Sequence, residues 1–247
     1  MRGFEESDRR DFGLDALATL ARASFELSWL LDRGYPRDTA RGFVGDRYQL
    51  TARQRLFLAR AVSGGEAACR RQEKRLAKSE IAGKHVLVDG FNAIVTLEVA
   101  LSGGPVVACE DGTVRDLAGM RGTYHPCYQT ARAIRLLVGY FREAGTGRVE
   151  FLIDAPVSNS GRLRGLIEHE AADSASSADL TDAPLVTARL ERDVDAALSA
   201  SCDVVVTSDS VILDRCLNWS NAVAEIVGEL SDVWIVSAWA PHSIPRP

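Results

Sequence analysis

The stretch His85–Asn92, His-Val-Leu-Val-Asp-Gly-Phe-Asn, constrains this chain more than any other. A short apolar run ends in an acid, a glycine and an amide, which is the pattern of a buried strand bounded by turn residues. Two later segments repeat it: Val149–Asp154 (Val-Glu-Phe-Leu-Ile-Asp) and Asp203–Asp209 (Asp-Val-Val-Val-Thr-Ser-Asp). Strand-like and helix-like segments alternate around these runs, which predicts an α/β fold with a mainly parallel central sheet. Ligands of open α/β sheets bind beyond the carboxyl ends of the strands. Asp89, Asp154 and Asp209 therefore stand where chemistry is expected.

Periodicity organises the rest. Leu14, Leu17, Ala18, Ala21, Phe25 and Trp29 recur at helical spacing and predict a helix over residues 11–32, ended by Gly34 and Pro36. Shorter helices are expected over 37–44, over 52–62 with Thr51 as N-cap, and over 66–80. Residues 1–82 thus read as a small all-α module, and residues 83–247 as the α/β domain. Within that domain strands are expected at 84–89, 148–154, 185–187, 203–208 and 233–239, and a hairpin around Asp111-Gly112. Helices are expected at 92–101, 128–144, 162–172, 191–200, 210–219 and 222–230. A glycine-rich loop covers 117–125, and a low-complexity loop 173–181.

The net charge of −5 conceals an asymmetry. Residues 1–83 carry 16 Lys/Arg and 12 Asp/Glu, whereas residues 84–247 carry 13 and 22. A basic module joined to an acidic one suggests a polyanion-binding part beside a part that concentrates carboxylates. Arg47, Arg53 and Arg55 cluster around the third helix and are candidate nucleic-acid contacts. The opening residues lack an apolar signal core, and no run approaches the ~20 apolar residues of a membrane span. The cytoplasm is the expected location. The five cysteines are scattered, with no Cys-x-x-Cys, and are expected to be reduced and mostly buried.

Three aspartates at the ends of neighbouring parallel strands lie within reach of one another, since strands are ~5 Å apart. Hard oxygen ligands of this kind suit Mg²⁺ or Mn²⁺, completed by water and phosphate. Such ions can clamp the attacking and leaving oxygens of a phosphodiester. The expected helix 191–200 adds acids. At about 100° per residue, Glu191 and Asp195 share one edge and Asp193 falls on the other. Asp195 is the candidate fourth ligand, with Glu191, Asp193 and Asp214 in reserve.

Val-Asp-Gly-Phe-Asn at 88–92 resembles the opening strand of PIN-like nucleases, especially their NYN branch. The run Glu191-Arg-Asp-Val-Asp-Ala-Ala-Leu, followed by Asp203-Val-Val-Val-Thr-Ser-Asp-Ser, is similar to the NYN helix-then-strand pair. The middle segment, from Asp111-Gly-Thr-Val-Arg-Asp-Leu-Ala-Gly to Phe151-Leu-Ile-Asp154, is similar to flap-endonuclease and 5′-exonuclease relatives. The resemblance covers roughly residues 84–237, and the whole chain also looks like a two-domain family with an α-helical module before a PIN-like domain. It implies a three-layer PIN-like domain and a metal-dependent nuclease acting on RNA. Asp89, Asp195 and Asp209 would be metal ligands, Asp154 a further acid, and Asn92 a group orienting a ligand or phosphate. Independently of the resemblance, the glycine-rich loop offers Arg115, Arg121, Tyr124 and His125 as candidate phosphate or base contacts, and Arg162 is another. In one respect the chain departs from the family: the second acid two residues beyond Asp209 is replaced by Val211. A non-catalytic nucleic-acid-binding or scaffold protein is therefore the alternative reading. RNA is the expected partner, a homo-oligomer is allowed for, and no membrane is expected.

Other chemistries fit less well. Haloacid-dehalogenase chemistry wants a second aspartate two residues after the strand-end acid, where Phe91 stands. No Gly-x-Gly-x-x-Gly follows the first strand, which argues against a dinucleotide-binding domain. His125 and Cys127, two residues apart on a loop, make a poor nucleophile pair.

Overall fold

The computed structural model describes residues 2–119, 122–176 and 184–239. The chain begins with helices α1 (Asp8–Asp11), α2 (Leu14–Asp32), α3 (Arg37–Arg47), α4 (Ala52–Ala61) and α5 (Gly65–Gln72). Thr51 and Gln54 close a reciprocal capping box at the start of α4, as its N-cap role predicts. The helix expected over 66–80 stops at Gln72. Arg75–Leu76 forms a short strand, β1, followed by a 3₁₀ turn at Lys78–Ile81. The indole of Trp219 donates to the Arg71 carbonyl at 2.7 Å and Trp219 Cα pairs with Arg75, so this segment is drawn onto the sheet edge.

The α/β part then runs β2 (His85–Asp89), α6 (Gly90–Leu101), β3 (Val106–Ala108), β4 (Val114–Asp116), α7 (Thr130–Glu143), β5 (Arg148–Asp154) and α8 (Ser160–Ser176). It continues through β6 (Leu185–Glu191), α9 (Val194–Ser199), β7 (Val204–Val206), α10 (Ser210–Arg215), β8 (Asn218–Ser220), α11 (Ala222–Glu229) and β9 (Ile235–Ser237). Six strands form one parallel sheet in the order β1-β8-β7-β2-β5-β6. The three strands read from their terminal aspartates are thus immediate neighbours, β7-β2-β5.

The sheet is covered on both faces, as a parallel sheet must be. Val86, Val88, Val149, Phe151 and Ile153 point to one side, into a core shared with α6, α7, α8 and α11. Leu87, Leu152, Val205 and Trp219 point to the other, against Val194 and Leu198 of α9 and Ile212 and Leu213 of α10. Gly90 permits the tight exit from β2: a Cβ there would lie 2.2 Å from Ile153 Cδ1 and 2.9 Å from the Leu152 carbonyl oxygen.

A second sheet, β4-β3-β9, joins the two parts of the chain. Its Val106 and Val114 belong to the main core. Val107 and Val236 pack with Phe12, Leu20, Leu27, Phe57 and Leu58 of the N-terminal helices. The helices therefore complete their apolar core on strands from the α/β part.

Three local expectations change. The helix expected over 210–219 ends at Arg215, and Trp219 is fully buried in strand β8. Glu191 ends strand β6, because β6 pairs with β5 over its whole length, as far as Asp154↔Glu191. The low-complexity segment 173–181 is helical as far as Ser176, and residues 177–183 lie outside the described region. Of the five free cysteines, Cys109 and Cys216 are buried, Cys127 is intermediate, and Cys69 and Cys202 are exposed.

Candidate active site

Strand order reverses at β2: the chain passes from β2 to β5 on one side and later returns to β7 on the other. Such a switch point opens a crevice at the carboxyl ends of the strands. Asp89 stands there as N-cap of α6, its Oδ1 accepting from the Asn92 amide at 3.3 Å. Val88 is level with Val206, which places Thr207 beside Asp89, and the Thr207 hydroxyl donates to Asp89 Oδ2 at 2.8 Å. The Asn92 side-chain oxygen accepts from the Ser208 amide at 2.8 Å and the Ser208 hydroxyl at 3.0 Å. Asp209, the next residue, caps α10 by accepting from Val211 N at 2.7 Å and Ile212 N at 3.3 Å.

The remaining acids surround this centre. Asp154 ends β5, Asp195 sits in the first turn of α9, and Asp193 is its N-cap, accepting from Ala196 N at 2.9 Å. Their electrostatics are those of crowded anions. Burial pushes the Asp89 carboxyl up to about 7, the Asp154 and Asp209 charges add to the rise, and the Thr207 and Asn92 hydrogen bonds oppose it. Asp154 is raised by burial and then by Asp195 and Asp193. Asp195 is raised by burial and then by Asp209 and Asp193. Asp89, Asp154, Asp195 and Asp209 thus form one electrostatically coupled set.

They do not, however, form a closed cage. Among the described residues no three His, Cys, Asp or Glu side chains are grouped so as to hold a metal ion. Register gives the reason. Asp89 is level with Leu152, so Asp154 lies two residues further along β5, a rise of roughly 6–7 Å, and Asp209 lies beyond the end of β7, at the N-cap of α10. The donors are all hard oxygens, and Mg²⁺ needs only one or two carboxylates when water and phosphate complete its shell. The residues present thus fit a cation held by one or two of these acids, and not a four-aspartate cage.

The reserve acids have other work. Asp214 receives Arg71 Nε at 2.7 Å and Nη2 at 3.0 Å. Glu191 pairs with Arg189 at 2.8 Å and accepts from Arg192 N. As a strand residue, Glu191 does not share a helix edge with Asp195.

Several expected nucleic-acid contacts are corrected by burial or by pairing within the chain. Arg53 is 7% exposed, and its guanidinium binds Asp8 at 2.6 Å and the Leu117 carbonyl at 2.6 Å. Arg115 is 5% exposed and donates to the Ser208 carbonyl, the Arg60 carbonyl and Asp111. Arg55 spends its donors on the Leu50 carbonyl and Asp46. Tyr124 is buried with its hydroxyl on Glu98. Arg47, paired with Glu26, His125, near Asn159, and Arg162, at the start of α8, remain on the surface. Arg121 lies outside the described residues.

Sequence reasoning overlooked Thr207 and Ser208, whose hydroxyls hold Asp89 and Asn92. The available signal was two hydroxyl residues closing an all-valine strand immediately before Asp209. It also overlooked the buried cluster beneath them. Arg71 Nη1 lies 2.7 Å and Arg115 Nη2 2.5 Å from Asp111 Oδ2. Burial alone would raise Asp111, but Arg115, Thr113 and Arg71 hold it down to about 2. A cavity of about 650 Å³ lies elsewhere, between α11 and the β3–β4 hairpin. Its lining is largely apolar, and its basic groups Arg75 and Lys78 already pair with Glu225 and Glu143.

Comparison with known proteins gives a family. Residues 19–74 match the model described as "Protein of unknown function (DUF434)". "Uncharacterized protein MJ0935" of Methanocaldococcus jannaschii is 30% identical over 145 residues, covering 59% of this chain and 69% of that protein. No solved structure matches the chain. Residues 78–225, more than half of the chain and the part that carries every acid of the site, match the model described as "Domain of unknown function (DUF5616)", and the chain belongs to that family.

Proposed function

We propose that this chain is a metal-dependent nuclease that hydrolyses phosphodiester bonds in RNA, on a domain of PIN-like type. The observation that carries the reading is the coupled set Asp89, Asp154, Asp195 and Asp209 at the switch point of a parallel sheet. The charges acting on Asp154 and Asp195 are other aspartates, so the set calls for a cation. A bound Mg²⁺ or Mn²⁺ would polarise the phosphate and lower the pKa of the attacking water. Asp89 would hold the ion, its free lone pairs oriented by Thr207 and the Asn92 amide. Asp209 or Asp154 would supply a second carboxylate. Asn92, fixed by Ser208, keeps its side-chain amide N–H groups for a phosphate or ligand. Arg47 and Arg162 are surface cations suited to a nucleic-acid backbone. A cytoplasmic location fits, and no helix among the described residues is long and apolar enough to cross a membrane.

The test is cleavage of labelled single-stranded RNA, with DNA in parallel, in Mn²⁺, Mg²⁺ or chelator. Ion-dependent RNA cleavage that Asp89→Asn abolishes is expected. Cleavage unchanged in that variant removes the site. A second reading, nucleic-acid binding without catalysis, is favoured by Val211 and by the different heights of the acids. It predicts a gel shift with no cleavage under any ion.

A further inference from the structure

We propose that Arg71, in the last turn of α5, is a positioning residue of the candidate active site: it fixes the corner Ser208-Asp209, so that the site is complete only with the N-terminal helices in place. The inference rests on the nuclease reading, because it gives that corner a role toward the cation. Arg71 is fully buried. Its guanidinium works along two edges. Nε and Nη2 reach Asp214 at 2.7 and 3.0 Å. Nη1 reaches Asp111 and the Ser63 hydroxyl, each at 2.7 Å.

The two legs end on adjacent residues. Asp214 belongs to α10, whose N-cap is Asp209. A helix of six residues does not hold itself, and Arg71 ties its flank. Lys74 ties its end, donating to the Leu213 carbonyl and to the Cys216 carbonyl at 3.0 Å. Along the other leg, Asp111 accepts from Arg115 at 2.5 Å, and Arg115 Nε donates to the Ser208 carbonyl at 2.6 Å. The Ser208 amide in turn donates to Asn92 Oδ1 at 2.8 Å. The peptide between Ser208 and Asp209 is thus held from both sides. Arg71 and Arg115 face Asp111 and Asp214, so the charges of the cluster cancel and add no repulsion against a cation at the acids. Buried ion groups add little net stability over apolar side chains of the same volume. What this one adds is direction: a planar fork meets two carboxylates at set angles, which an ammonium on a flexible stem cannot.

The test uses the full chain and Mn²⁺ alone as the probe, in wild type, Arg71→Met, Arg71→Lys and Phe57→Leu. Phe57 lies in the apolar core of the N-terminal helices, so its variant loosens them without removing a member of the cluster. Titration calorimetry is expected to show Mn²⁺ bound roughly tenfold more weakly by both Arg71 variants, and as in wild type by Phe57→Leu. Charge alone predicts the reverse: loss of a cation strengthens Mn²⁺ binding in Arg71→Met and leaves Arg71→Lys unchanged. Either of those outcomes, or equal weakening in Phe57→Leu, overturns the proposal. Should Arg71→Met fail to fold by circular dichroism, Arg71→Lys, which keeps the charge, decides. Amide exchange without metal separates this inference from the reading beneath it. The Ser208, Val211 and Ile212 amides, held by Asn92 and Asp209, are expected to exchange faster in Arg71→Lys, while those of β2 keep the wild-type rate. Unchanged exchange overturns the positioning role even where Mn²⁺ binds. Faster exchange in a chain whose wild type takes up no Mn²⁺ supports that role and removes the nuclease reading instead.

Discussion

The Thr207 hydroxyl crosses from β7 to donate to Asp89 on β2 at 2.8 Å, joining the two strands that flank the switch point. The bond stabilises the charged form of an acid that burial holds near neutrality up to about pH 7. Much of the chemistry of the site follows from how this acid titrates.

Asp89 is raised to about 7 from an ordinary 3.8. In that window the folded chain keeps a proton that the unfolded chain has released. Stability therefore falls as pH rises from about 4 to about 7, and stays reduced above it. Asp89→Asn is expected to melt several degrees above wild type near pH 8 and to gain nothing near pH 4, the gain being bounded by roughly 4 kcal/mol. Calorimetry across this range checks it; a variant that melts lower near pH 8 contradicts the sign.

Thr207→Val removes a bond made to the charged carboxylate and leaves the neutral acid less affected. The stability loss is expected to be largest above pH 7, on the order of 1.5–3 kcal/mol, and to shrink toward pH 5. Urea denaturation at the two pH values measures the difference, and an equal loss at both would show that the hydroxyl does not serve the charge.

If the acids take up a cation, Mn²⁺ is expected to raise the melting temperature of the wild type, more near pH 8 than near pH 5, because protons compete for the ligand oxygens. Asp89→Asn is expected to lose most of that rise. A rise equal in both proteins would place the ion elsewhere.

Arg115→Met leaves buried Asp111 with Arg71 as its one cationic partner and frees the Ser208 carbonyl. A loss of roughly 3–5 kcal/mol is expected. Arg162→Ala, on the surface, is expected to change stability by less than about 0.5 kcal/mol while weakening RNA binding. Comparable destabilisation by the two would refute the division between buried and surface arginines.

Gly90→Ala forces a Cβ against Ile153 Cδ1 and the Leu152 carbonyl. A cost on the order of 1–3 kcal/mol is expected, and Ile153→Val should recover only part of it, because the carbonyl cannot retreat. Full recovery would mean that the side chain alone sets the constraint.

The sheet was legible because valine-rich runs ending in Asp89, Asp154 and Asp209 are buried on both faces and need no tertiary knowledge to be read as strands. Their adjacency and direction follow from the alternation. The heights of the acids were not legible, since register depends on pairings such as Val88↔Val206 that composition does not encode. Glu191 was misplaced for a related reason: its helix-like context yields to continuous pairing with β5. Arg53 and Arg115 read as free cations because the groups that bind them, Asp8 and the Ser208 carbonyl, lie 45 and 93 residues away. The spacing of Leu14, Phe25 and Trp29 marked the helix but not which side of it is buried. Burial belongs instead to Leu20, Ala23 and Leu27.

Strand β9 and the residue after it supply Val236 and Ala238 to the apolar core of the N-terminal helices. During synthesis those helices are made before either strand on which they rest, Val107 of β3 coming sooner than Val236 of β9. The apolar face of the helices is therefore covered in two stages, and its full burial waits for β9. The lifetime of that partly exposed state is set by the speed of translation between the two strands.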